Sequence, residues 1–328
     1  MRTELAPDEV EKAMRKTTLI LAASLSLSSL AAAGDGPATD ALPSPAPMPT
    51  VAPAPAANPY SLPFQLRPIA QPTVLRLETA LGWHGVDPSG SAGTNDVTIL
   101  TAGYAVTKGT GFGLRIPFVY NAPSGDGAPA SIFQIANLAA SVTHTPFPSD
   151  PVRVSFSAAL SVPVGNGHGT PPSAAAKAAN ASSQLTRLAM DNALFLPNDL
   201  ALATGLSCAY VENGLTLQAD LTMLNTFKSR EANGDAARTN GLAALGAGYF
   251  FLPEVSANVE VLYQHWLTTP EAVAKDAARR SNLSALVGAR YHHKFAWGWA
   301  RPGVALAQGL DGFTKETTEV RVDLPFLF

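Results

Sequence analysis

Six histidines, one cysteine and two glycine-rich runs are the residues of this chain best suited to chemistry, and their spacing assembles no familiar site. His84, His144, His168, His265, His292 and His293 fall in separate segments, and no His/Glu pair has the three- or four-residue spacing that places metal ligands on one helical face. They read as surface or interfacial side chains. Cys208 stands alone, so it can form neither an intrachain disulfide nor a cysteine-rich metal motif, and it reads as a small apolar residue. Gly109-Thr-Gly-Phe-Gly113 and Gly165-Asn-Gly-His-Gly169 have the density of phosphate-cradling loops. Neither leads into Lys-Ser/Thr or into a helix, so they read as turn glycines. Serines are present, but none sits in the Gly-x-Ser-x-Gly elbow that would expose a nucleophile beside a histidine. No catalytic, cofactor-binding or metal site is expected, and no enzyme.

What remains is a set of charged side chains on the polar face of alternating segments: Arg76, Glu78, Arg115, Arg153, Asp220, Glu260, Arg290, Arg321 and Asp323. Both signs are nearly balanced. If these residues line a lumen, its wall has no strong preference for cations or anions; if they pair with one another, they fill a narrow interior instead.

The elements that must carry them are strands. Apolar and polar residues alternate, with turn residues between, near 73–83, 96–107, 111–120, 131–144, 152–164, 199–211, 215–225, 241–252, 255–266, 281–292, 295–306 and 316–328. That period puts Val152, Val154, Phe156 and Leu160 on one face and Arg153, Ser155, Ser157 and Ser161 on the other. Most segments have the roughly 9–11 residues or slightly more that a tilted membrane strand needs. Connections after odd strands are long, and those after even strands, such as Lys108-Gly-Thr, Glu212-Asn-Gly, Pro253-Glu254 and His293-Lys294, are short. This asymmetry is the habit of transmembrane barrels, and Trp83, Tyr120, Tyr249, Phe250, Phe251, Phe295, Trp297 and Trp299 near strand ends would form interfacial girdles. The alternative is a soluble β-sandwich, whose strands alternate as well.

The ends of the chain add an address. Residues 17–30 form an apolar, hydroxyl-bearing run of about fourteen residues after Arg15-Lys16 and before Ala31-Ala32-Ala33-Gly34, which predicts a signal peptide over 1–33 rather than a spanning anchor. Residues 1–13 carry acidic groups foreign to such a signal, so the true start could be Met14. Residues 34–72 hold about eleven prolines and predict a disordered, extended linker. A formal net charge of −3 excludes a basic nucleic-acid-binding protein.

The final strand ends in Leu324-Pro-Phe-Leu-Phe328, with Phe326 and Phe328 on the apolar face. This resembles the closing strand of Gram-negative outer-membrane β-barrels, in which a terminal aromatic residue is read by the barrel-assembly machinery. Leu114-Arg-Ile-Pro-Phe-Val-Tyr120 and Leu160-Ser-Val-Pro-Val-Gly165 each place a proline before the end of a strand. In this they are similar to the barrel family of transporters assigned to the phenol-degradation meta-cleavage pathway. The resemblance implies uptake of small apolar or aromatic solutes, with no ligand-binding residue to carry across. The expectation is an all-β protein: an antiparallel transmembrane β-barrel of about 12 strands over 73–328, integral to the outer membrane and contacting its lipid, with its N-terminal linker in the periplasm. It either passes solutes passively or is a structural or surface-interaction barrel without a conducting pore. The loop near 165–198 is long and Ala-rich, with a helix predicted from Ser173 to about Ala189; it folds over or into the pore, or lies free at the surface.

Overall fold

The computed structural model describes residues 59–84, 92–125, 128–165, 172–230 and 235–328. The expected signal peptide and the linker as far as residue 58 lie outside the described residues, as do His168 and the end of its glycine run.

Among the described residues, fifteen strands form one sheet that closes on itself: β1 (Val74–His84), β2 (Ala92–Ala105), β3 (Thr110–Ser124), β4 (Ile132–Ile135), β5 (Leu138–His144), β6 (Val152–Val162), β7 (Asp199–Glu212), β8 (Leu215–Lys228), β9 (Ala237–Leu252), β10 (Val255–Trp266), β11 (Ser281–Tyr291), β12 (His293–Phe295), β13 (Gly298–Ala300), β14 (Gly303–Gly312) and β15 (Thr318–Leu327). β4 and β5, β11 and β12, and β13 and β14 run on as single staves, which makes twelve. All neighbours are antiparallel, and β1 closes on β15 from the Val74–Leu327 pair to the Trp83–Thr318 pair. Closure gives every long strand a partner on both sides, the condition for a sheet in lipid, and only the short β4 and β12 pair on one side among the described residues.

The faces of the strands decide between barrel and sandwich. On β8, Leu217, Leu221 and Met223 are 46%, 58% and 47% exposed, whereas Gln218 and Asp220 between them are buried. Polar residues inside and apolar residues outside is the inverse of a water-soluble core, and an apolar band this continuous suits lipid rather than water. The soluble sandwich is thereby excluded. Cys208 lies on the same outer face, on β7.

One turn differs from expectation. The stave that begins as β11 does not turn at His293-Lys294 but continues through β12 and turns at Ala296-Trp297, because β12 and β13 pair as a short extension beyond β11 and β14. There Phe295 stacks on Trp297 with ring centroids 5.0 Å apart, and Trp297 stacks on Phe328 at 5.5 Å, so the terminal aromatic joins a cluster at the short-turn end. Phe250 leaves the expected girdle and packs on His292, 4.6 Å away.

The long loop before β7 carries α1 (Ala174–Thr186), with Ser173 as N-cap accepting from the Ala176 amide. It stops three residues before the expected Ala189, because Leu188 and Ala189 adopt left-handed backbone angles (φ 50° and 63°) and turn the chain. The helix lies inside the barrel against β1, β2 and β3. Small residues permit this approach, and at Gly82 a Cβ would run into the Thr186 side chain.

Candidate functional site

The lumen is filled from both ends. From the short-turn end comes the chain itself: residues 59–72, expected as the last part of a disordered linker, instead fold into the barrel and return to begin β1. Their composition explains the departure. At Tyr60 the Pro/Ala run gives way to spaced apolar residues, and Leu62, Phe64, Leu66 and Ile69 are all buried. Pro63, Pro68 and Pro72 have no amide hydrogen to satisfy.

Side chains of the wall meet many of the remaining backbone groups. Glu260 accepts from the amides of Phe64, Gln65 and Leu66 at 2.6, 2.8 and 3.0 Å. Arg290 donates to the carbonyls of Leu62 (2.7 Å) and Pro63 (3.0 Å), while Arg321 and Arg76 both donate to that of Phe64 (3.1 and 3.0 Å). Asp220 accepts from the Arg67 amide at 3.1 Å. Tyr60 closes the excursion: its hydroxyl donates to Gln218 (2.7 Å) and accepts from the Ile69 amide (3.2 Å). Burial pushes this phenol above its ordinary range, with the Ile69 amide opposing.

From the long-loop end comes α1 and the chain that follows it. Arg187 is the hub of this insert, paired with Glu78, with Asp191 at 2.7 Å and with Glu319 at 3.7 Å. Asp191 also takes Arg115 at 2.7 Å. Burial alone lowers the Arg187 pKa, but Glu78, Asp191 and Glu319 outweigh it and hold it above its usual value. Burial would likewise raise Asp191, and Arg115 and Arg187 hold it well below the usual carboxylate range. The two inserts touch: Phe64 and Leu188 share an apolar cluster with Leu286, Ala305 and Ala307, and Met190 packs against both that cluster and the one around Leu66.

Between the inserts and the wall lies a cavity of about 250 Å³. Its wall carries small and apolar side chains such as Ala203, Leu242 and Leu262, and Met190 and Leu194 reach it from the loop. Arg67, Arg76, Arg115 and Arg187 also border it.

Each charged residue singled out in the sequence is therefore engaged. Arg76, Asp220, Glu260, Arg290 and Arg321 hold residues 59–72. Asp323 holds Arg76 (2.7 Å) and Arg290 (2.5 Å); Glu78 and Arg115 hold the loop; Arg153 donates to the Asp150 carbonyl at 2.9 Å, near the short-turn end. Sequence reasoning missed Tyr60, Phe64, Arg67, Arg187 and Asp191. The signal for the first three was the composition change at Tyr60; Arg187 and Asp191 sit four apart in a loop and carry none. Among the described residues, no group of three His, Cys, Asp or Glu side chains is placed to hold a metal. Ser256 and His292 are 2.8 Å apart, but both are buried in the wall and form an internal hydrogen bond rather than an exposed nucleophile.

No protein-family model matches the chain, and no curated protein matches it in sequence. Among solved structures, the COG4313 outer membrane channel from Pseudomonas putida F1 aligns with a TM-score of 0.54 at 13% identity, over 84% of this chain and 99% of that one. The KdgM porin in complex with disordered oligogalacturonate aligns at 0.45 and 10% identity, over 78% of this chain and 99% of its own. The NanC porin aligns at 0.46 and 9%, over 77% and 100%. The first likeness establishes the fold, a closed barrel of the kind built into outer membranes, and at this identity nothing finer.

Proposed function

We propose that the chain is an integral outer-membrane channel, its N-terminal linker in the periplasm, that passes small apolar or aromatic solutes passively. The observation that carries this reading is the cavity of about 250 Å³ left along the wall beside the two inserts. An apolar cavity of about 150 Å³ accommodates benzene, so this one is large enough for a single aromatic ring. It is far too small for an aqueous pore of the 16-strand kind. Traffic through it requires one insert to yield, and the loop is the better candidate, because its charged contacts converge on Arg187 whereas residues 59–72 are bonded to the wall at many points.

Removing residues 173–191 and joining the ends with a glycine-rich turn should leave heat-modifiable gel migration intact. It should also raise both conductance in planar bilayers and entry of toluene into liposomes. A second reading is a filled, structural barrel acting through its outer surface, and the apolar cluster that Phe64 and Leu188 share inside the lumen favours it. Absence of conductance and of toluene entry in both the intact and the shortened protein would decide for that reading. Deleting Phe328 should lower the level of heat-modifiable protein, because the terminal strand loses the anchor expected to engage the assembly machinery.

A further inference from the structure

Of the four arginines that border the cavity, three have carboxylate partners. Arg76 pairs with Asp323 at 2.7 Å, Arg115 with Asp191 at 2.7 Å, and Arg187 with Glu78, Asp191 and Glu319. Arg67 has none within ion-pair distance among the described residues. Its guanidinium donates only to two hydroxyls, Ser157 Oγ at 2.5 Å and Thr222 Oγ1 at 2.6 Å. The neighbouring Asp220 is committed elsewhere, to the Arg67 amide at 3.1 Å and the Gln218 side chain at 3.0 Å. A half-buried cation with no carboxylate bonded to it is costly, and hydroxyls compensate it less than a carboxylate does. The guanidinium presents a planar fork matched to a carboxylate, and its hydroxyl partners can be exchanged without stranding a buried charge.

The apolar groups stand beside it. Leu66, Met190, Leu242 and Leu262 border the same cavity. We infer that Arg67 and this apolar wall form a binding site for a small monocarboxylate with an aromatic or short aliphatic body. The carboxylate takes the Arg67 fork, and the body fills the apolar part of the cavity. This rests on the channel reading above and narrows its solute class.

The test uses the full chain in detergent, titrated calorimetrically with benzoate and, separately, with toluene and benzyl alcohol. Benzoate should bind at least tenfold more tightly than benzyl alcohol. Arg67→Gln should abolish that preference and leave toluene unaffected, and Arg67→Lys should restore part of it. Because Arg67→Gln could loosen residues 59–72, chymotryptic protection at Phe64 is measured alongside. The double variant Ser157→Ala/Thr222→Ala, which frees the guanidinium without removing it, should bind benzoate as well as the parent or several-fold better. Benzoate binding no tighter than benzyl alcohol, with toluene still bound and admitted to liposomes, would overturn the carboxylate site and leave the channel reading standing. A loss of benzoate binding in the double variant would show that Arg67 is structural. If no solute binds or enters, both readings fail together.

Discussion

The two inserts occupy one lumen and are held in different ways. Residues 59–72 contribute mainly backbone, and the wall contributes the side chains: Glu260, Asp220, Arg76, Arg290 and Arg321 hold amides and carbonyls that many sequences could present. The loop relies more on its own side chains: Arg187 and Asp191 reach charged partners and Leu188, Leu194 and Phe195 fill apolar clusters, while Asn137, Ser161 and Asn282 of the wall hold its carbonyls at Leu188, Ala193 and Leu196. Release of residues 59–72 requires several wall bonds to break together, whereas the charged contacts of the loop converge on Arg187, so one substitution removes most of them. The channel reading therefore assigns movement to the loop and a fixed place to the N-terminal segment.

The largest effect should come from the clamp. Glu260→Leu strands three buried amides, at about 1–3 kcal/mol each, so retention of residues 59–72 should weaken by about 4 kcal/mol. Chymotryptic cleavage at Phe64 should then become rapid while the loop stays protected. Simultaneous release of both inserts would break the distinction between them.

The wall is the control for both inserts. Leu221→Arg faces lipid and should cost about 2–4 kcal/mol in barrel stability, whereas Ala203→Arg, which faces the cavity, should be tolerated. Urea titration in bilayers measures the difference, and equal costs would remove lipid from the account.

Arg187→Leu comes next, at about 2 kcal/mol. That is less than the usual loss on breaking a buried pair, because Glu78 keeps Arg76 and Arg321, Glu319 keeps Arg321, and Asp191 keeps Arg115. Proteolysis should increase within the loop and remain unchanged at Phe64. An equal increase at both places would mean that the inserts form one unit.

The smallest effect is that of pH. Asp191 is held below its ordinary pKa, so its contribution is fully present above the unfolded value near 4 and declines only as pH falls below that. Loop protection and conductance should be level from pH 5 to 8 and change only below about pH 4. A transition near neutrality would assign the latch to some other group.

Strand count, strand parity and the closing pair at β1 and β15 could be read from residue order because the two-residue period of a strand is local, and lipid outside enforces it along every stave. The helix after Ser173 was legible in its run of alanines, because helix propensity is local too. The cavity and the two inserts were not. That Glu260 would meet the amides of residues 64–66, or Arg187 the carboxylates of Glu78 and Glu319, depends on pairs separated by roughly one hundred to two hundred positions. No period relates such pairs. The sequence by itself determined a barrel with a charged interior; only closure of the sheet, by confining those charges around two returning chains, decided which of them hold the inserts and left Arg67, beside the cavity, with no carboxylate within ion-pair distance among the described residues.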